Sequence, residues 1–197
     1  NSKRLERKPL LIIDGLPIII HTLKRVQLSK KVDKVIVCTD SDEIKKIVEV
    51  HGGEAVITSS KHRNGTERIA EISRKYKKAK LIIDVQGDEP LVDPKDIDDV
   101  IKFHKQNKNF DIVLPMKKTR NADDKSLIKV VSSEKNKVLY FSRAKIPFNY
   151  KEKNINYFKD LSVISFKPQA LNKFSKMKPG VLEKTEGIEL LRALENN

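Results

Sequence analysis

Tryptophan is absent from the chain and cysteine occurs once, as Cys38. One thiol excludes an intramolecular disulfide and any cysteine-based zinc cluster. Set in Val35-Ile36-Val37-Cys38, it reads as a buried strand residue and fits a reducing cytoplasm. Long apolar runs are missing as well. The longest, Pro9 to Ile20, is broken by Asp14, Gly15 and Pro17, so nothing approaches the roughly 18–20 residues of a membrane-spanning helix. No small-residue cleavage site follows the basic start, so no signal peptide is expected. The sequence also has no GxxxxGK[ST] phosphate loop, no GxGxxG turn, no HExxH pair and no GxSxG elbow. Hydrolysis by an activated serine therefore has no support.

Charge is plentiful and unbalanced, with a formal net charge of +14. Of the 41 basic residues 32 are lysine, spread along the chain and interleaved with Asp and Glu. Nucleic-acid readers favour arginine for bidentate recognition and aromatic rings for base stacking. Neither pattern stands out, so an anionic small molecule is the better explanation of the sign.

The 197 residues suffice for one α/β domain with a full core. Short β-branched runs alternate with helical periodicity, which predicts a mostly parallel sheet. Residues 34–39 read as a strand, and residues 40–43 as the capped start of a helix burying Ile44, Ile47 and Val48. Gly52-Gly53 ends that helix and 54–57 is a short strand. A helix begins near Thr66, with Ile69, Ala70 and Ile72 inward, and 80–85 form a central strand. Asp93-Pro94 starts a helix whose inward face is Ile97, Val100, Ile101 and His104. From about residue 111 strands dominate (111–116, 128–132, 137–141 and 161–166), suggesting an antiparallel addition to the sheet or a lobe used for self-association. Residues 149–159 lack periodicity and are expected to be a mobile loop. A last helix over 182–194 is expected to expose Glu183 and Glu186.

Ligands of open α/β sheets gather beyond the carboxyl ends of the strands. Asp88 falls there, three residues past Val85 and after a glycine that permits close backbone approach. A carboxylate so placed suits Mg²⁺, which takes few protein ligands and shares its shell with phosphate oxygens and water. A capping role in a surface turn is the alternative. The run Ser2-Lys3-Arg4-Leu5-Glu6-Arg7-Lys8 gathers cations that would neutralise a leaving pyrophosphate, or would simply be solvated. His62 to Arg68 forms a polar turn at a helix N-terminus, suited to an anion or a nucleobase edge. Arg143, ending Tyr140-Phe141-Ser142-Arg143, would pair with a ligand carboxylate or serve a salt bridge.

Taken in order, these segments resemble the 3-deoxy-manno-octulosonate (Kdo) cytidylyltransferase family. The likeness rests on Ser2 to Leu5 with Lys8-Pro9-Leu10, Asp14-Gly15 with Pro17-Ile18, and His62 to Arg68. It continues through Val85 to Pro90, Lys129 to Val131, Tyr140 to Ala144 with Ile146-Pro147, and the final helical segment. The resemblance implies a Rossmann-like nucleotidyltransferase fold, a three-layer α/β/α arrangement with a small antiparallel dimerisation lobe over about 127–167, and a homodimer. It also implies CTP as donor, an acidic sugar as acceptor, Mg²⁺ as cofactor, and lipopolysaccharide biosynthesis as the setting. By position, Ser2, Arg4, Lys8, Asn64, Gly65, Thr66 and Arg68 would bind nucleotide, with Lys8 and Asp88 catalytic and Asp88 holding the metal. Gln86, Arg143, Glu189 and Arg192 would face the sugar. Departures from the family pattern stand at Glu6, Asn64, Asp160, Ile164 and Leu190. They leave open a different acidic 2-keto-3-deoxy acceptor, such as an acylneuraminate-like acid, or an inactive nucleotide-binding paralogue. The family pattern also leads us to expect a first strand and a last segment beyond these residues.

Overall fold

The computed structural model describes residues 7–151 and 155–196. A 3₁₀ turn at Lys8–Leu10 leads into a short hairpin, β1 (Ile12–Ile13) and β2 (Leu16–Pro17), and then α1 (Ile18–Gln27). Asp14 and Gly15, both at positive φ, make the hairpin turn. Next come β3 (Val37–Thr39), α2 (Asp42–Val50), β4 (Ala55–Ile57), α3 (Gly65–Ser73), β5 (Ile82–Val85) and α4 (Pro94–Gln106). Strands follow: β6 (Ile112–Val113), β7 (Met116–Thr119), β8 (Lys129–Ser132), β9 (Val138–Ser142), β10 (Tyr157–Asp160) and β11 (Val163–Phe166). The chain closes with α5 (Pro168–Lys176), α6 (Val181–Glu186) and α7 (Leu191–Glu195). Among the described residues no helix is long and apolar enough to cross a membrane.

The chain divides into two compact units, residues 1–113 with 162–175, and residues 114–161 with 176–197. In the first, helices cap as their sequences dictate. Ser41 accepts the Ile44 amide at the start of α2, and Asp93 accepts the Lys95 amide before Pro94 opens α4. All four residues expected inward on α4 are buried. His104 is among them, satisfied by the Ser165 hydroxyl at 2.7 Å and the Phe110 carbonyl at 3.1 Å. One core cluster gathers Ile19, Ile20, Leu23, Val48 and Ala55; another gathers Val26, Val92, Ile97, Ile101 and Val163. Gly53 lies so close to the first that an added Cβ would sit 2.5 Å from Leu23 Cδ2.

β3 and β4 pair in parallel, joined by α2 as a crossover requires. β11 instead runs antiparallel between β5 and β6. No described helix intervenes between β6 and β11, so the crossover that parallel neighbours need is lacking. The α/β class holds, and β6 and β11 form the antiparallel addition to the sheet expected from the strands after residue 111. A cavity of about 1060 Å³ is lined by Val35, Val37 and Cys38 on one side and Leu81, Ile83 and Val85 on the other. β3 pairs only with β4, and β5 only with β11, so each keeps one edge without a ladder partner among the described residues.

The second unit holds a four-stranded antiparallel sheet in the order β7-β10-β8-β9. β10 corrects the expectation of a loop over 149–159 at its end: residues 149–151 and 155–156 carry no helix or strand, 152–154 lie outside the described residues, and the strand begins at Tyr157. Tyr157–Asp160 pairs along its length with Met116–Thr119, and its interior place in the sheet supplies the order its polar sequence does not advertise. The expected final helix is also interrupted: α6 ends at Gly187, which adopts the left-handed conformation that suits glycine, before α7 begins. Glu183 and Glu186 are not free surface carboxylates either. Glu183 grips Arg192, and Glu186 accepts from the Ser142 hydroxyl at 2.6 Å and the Arg143 amide at 2.9 Å.

Candidate nucleotide and acceptor sites

Lys8 and Asp88 are 80 residues apart in the chain, yet their side chains meet. The Lys8 ammonium donates to Asp88 Oδ2 at 2.6 Å, and both side chains remain more than a third exposed. Asp88 owes its place to β5, whose last residue, Val85, leads directly into the turn Gln86 to Pro90. That turn is fixed by the Glu89 amide donating to the Gln86 carbonyl and by the Thr22 hydroxyl donating to the Gly87 carbonyl. The glycine also packs closely on α1: a Cβ there would lie 3.0 Å from Ile19 Cδ1, the end of a flexible side chain. Asp88 Oδ1 and the Gln86 carboxamide have no hydrogen-bond partner among the described residues.

The turn 62–68 is knit mainly by its own side chains. Asn64 is the N-cap of α3, accepting the Glu67 amide at 2.9 Å, so its carboxamide oxygen is committed to the helix. The Thr66 hydroxyl donates to Asp84 Oδ2 at 3.0 Å and ties α3 to β5. Arg68 donates to the Thr58 hydroxyl and to Asp40 Oδ2 at 2.9 Å. Burial presses the Asp40 pKa upward, but the Arg68 hydrogen bond and charge outweigh it and leave it below its ordinary value. His62 is paired with Glu71. What stays open at this turn is Gly65, around which nothing lies within 4 Å of a built Cβ. Asp84 was not singled out by the sequence, although a carboxylate inside Ile82-Ile83-Asp84-Val85 is the kind of exception that signals it. It is buried, and the desolvation raises its pKa to about 6 against the opposing Thr66 hydrogen bond.

In the second unit Arg143 is anchored along two sides of its guanidinium. Nε donates to the Glu186 carbonyl at 3.0 Å, and Nη1 reaches the Lys125 and Ser126 carbonyls at 3.1 and 3.3 Å. Nη2 has no partner among the described residues, which leaves a fixed cationic donor for a carboxylate. Arg192 is fully buried, held by both carboxylate oxygens of Glu183 and by the Met177 carbonyl. Its guanidinium makes an internal ion pair between α7 and α6. Glu189 is half-buried and Leu190 buried in the α6–α7 connection. Ile164 is buried on β11 opposite Asp84, and Asp160 is a half-buried β10 residue opposite Met116. Ser2 and Arg4 lie outside the described residues, as does Glu6.

The profile of the cytidylyltransferase family matches residues 1–197. The chain belongs to that family. The 3-deoxy-manno-octulosonate cytidylyltransferase of Fusobacterium nucleatum subsp. nucleatum is 39% identical over 199 residues, covering 100% of this chain and 81% of that protein. The 8-amino-3,8-dideoxy-manno-octulosonate cytidylyltransferase of Shewanella frigidimarina is 37% identical over 204 residues, covering 98% of this chain and 82% of that protein. Among solved structures, a CMP:2-keto-3-deoxy-manno-octonic acid synthetase complexed with CTP superposes with a TM-score of 0.93 at 30% identity, over 100% of this chain and 82% of that one. The architecture of this cytidylyltransferase is therefore the Rossmann-like nucleotidyltransferase fold that the motifs implied.

Proposed function

We propose that this cytidylyltransferase transfers the cytidylyl group of CTP to 3-deoxy-manno-octulosonate, giving the CMP-sugar and pyrophosphate. The observation that carries the reading is the Lys8–Asp88 pair at the carboxyl end of β5, where an α/β sheet presents ligand-binding groups. An acceptor hydroxyl oxygen attacks the α-phosphorus and forms the new P–O bond, the bond from that phosphorus to the α,β-bridging oxygen breaks, pyrophosphate leaves with that oxygen, and the hydroxyl proton passes to solvent. Such a displacement depends on positioning and charge rather than on a protein nucleophile. The Lys8 ammonium neutralises phosphate oxygens, a task that Ser2 and Arg4 share in this reading. Gly65 leaves the backbone before α3 accessible to the nucleotide, while Asn64, Thr66 and Arg68 hold that turn in shape. The Gln86 carboxamide is available to sugar hydroxyls, and Arg143 Nη2 to a sugar carboxylate. Glu189 and Arg192 stand near the sugar in this reading, Arg192 also tying α7 to α6 through Glu183.

Mg²⁺ is the cofactor of this reading. No cluster of three or more His, Cys, Asp or Glu residues is present among the described residues. A single half-exposed carboxylate with one oxygen unpartnered, Asp88, fits an ion that takes most of its shell from triphosphate and water. When bound, the ion supplies charge stabilisation for the phosphates. Asp88 Oδ1 would hold the ion there, beside the Lys8 ammonium on Oδ2. Leu139, Phe148 and Tyr150, all exposed, support a homodimer built through the second unit. The lone Cys38 supports a reducing cytoplasm.

The similarity to the Shewanella protein, nearly equal to that of the Fusobacterium one, favours a second reading in which the acceptor is the 8-amino-3,8-dideoxy analogue. Pyrophosphate release from CTP with both octulosonates and N-acetylneuraminate decides among acceptors. Asp88→Ala is expected to lower turnover by at least about 100-fold with the circular dichroism unchanged. Wild-type turnover in that variant, or no release with any acceptor, would refute the assignment.

A further inference from the structure

Lys129 is fully buried at the start of β8, and an aliphatic residue there would have met the demands of packing. Each of its three ammonium N–H bonds ends on a backbone carbonyl: Asp124 at 2.7 Å, Leu127 at 2.7 Å and Arg143 at 2.6 Å. An ammonium has three donors, so the cage is saturated. Arg143 Nη1 takes the two carbonyls in between, Lys125 and Ser126. Four consecutive carbonyls, from 124 to 127, thus converge on two cations. Carbonyl oxygens turned inward in this way would repel one another without a positive charge among them, so the turn depends on its cations for its shape. Burial drives the Lys129 pKa down, with the carboxylate of Asp124 opposing.

We propose that Lys129 is a positioning residue for acceptor binding, its ammonium acting as a built-in cation that shapes the 124–127 turn and thereby fixes the Arg143 guanidinium. This rests on the reading of Arg143 as the ligand of the acceptor carboxylate. Lys129 sets two of the constraints on Arg143, holding its carbonyl and organising the turn that holds Nη1, while Glu186 holds the backbone amide and Nε. Loss of the ammonium releases the two that Lys129 sets, while the Lys8–Asp88 pair belongs to the other unit and is held by neither constraint. The expected signature is a selective loss of acceptor affinity.

The test is steady-state kinetics on Lys129→Ala, Arg143→Ala and the double variant, with ethylammonium chloride added to refill the cage and tetramethylammonium chloride, which has no N–H, as control. Lys129→Ala is expected to raise KM for the sugar acid about tenfold or more, in line with a lost charge-assisted hydrogen bond. KM for CTP should stay within about twofold, and ethylammonium alone should restore the sugar KM. In the Arg143→Ala background, Lys129→Ala should add nothing to the sugar KM. A reduced active fraction with unchanged KM values, or an equal further rise in the Arg143→Ala background, overturns the proposal. Should Arg143→Ala itself leave the sugar KM untouched, it is the acceptor role of Arg143 that fails. If Lys129→Ala is folded but too unstable to assay, its thermal midpoint decides, and if it is unfolded, recovery of the folded circular dichroism does: a gain with ethylammonium and none with tetramethylammonium supports the cage, and no response to either refutes it.

Discussion

Replacing Asp84 with asparagine separates the cost of a buried charge from the benefit of its hydrogen bond. The carboxamide introduced by Asp84→Asn keeps an oxygen to accept from Thr66, which lies 3.0 Å from Asp84 Oδ2, but it cannot ionise. In the folded protein burial raises the Asp84 pKa from 3.8 to about 6. Between those values the native state binds the proton more tightly than the unfolded chain, so stability falls as pH rises. The penalty is absent below the unfolded pKa, grows through the interval, and is complete above about pH 6. Two pKa units correspond to about 3 kcal/mol. Any pH-independent cost of the substitution, such as an unpaired amide N–H, cancels when the two proteins are compared across pH. Urea denaturation of both at about pH 4.5 and pH 7.5 should therefore show the stability difference, variant minus wild type, increasing by roughly 2 kcal/mol in the variant's favour at the higher pH. A difference that stays flat, or moves the other way, would show that Asp84 titrates as an ordinary carboxylate and would remove the desolvation argument.

Two other changes test other links of the chain. Lys8→Ala should raise KM for CTP about 10-fold or more while the far-ultraviolet circular dichroism is preserved, because a phosphate would lose a charge-assisted donor; unchanged CTP dependence removes Lys8 from the site. Gly53→Ala would place a Cβ 2.5 Å from Leu23 Cδ2 and 2.8 Å from Val48 Cγ1, both buried, so the core must shift. Overpacking of this kind costs about 1–3 kcal/mol, and a denaturation midpoint equal to wild type would mean that the cluster yields freely.

The amino-acid order by itself determined the elements whose signals are local. Ser41 and Asp93 cap helices because their short side chains reach the free amides of the first turn. The spacing of Ile97, Val100, Ile101 and His104 gave the inward face of α4, and all four are buried. The resemblance to the family was legible above all in Val85 to Pro90 and Tyr140 to Ala144, whose residue types stand out against a background of lysine. Tertiary structure decided the rest, because pairing between distant segments leaves no periodic trace. Tyr157–Asp160 became a strand through the strands beside it. Glu183 and Glu186 looked solvated on a helical wheel, and are instead claimed by Arg192, Ser142 and Arg143. Only folding could bring Lys8 within 2.6 Å of Asp88, or wrap four carbonyls about the cations of Lys129 and Arg143. A carbonyl belongs to every residue alike, so its direction is written in the backbone path and not in the letters of the sequence.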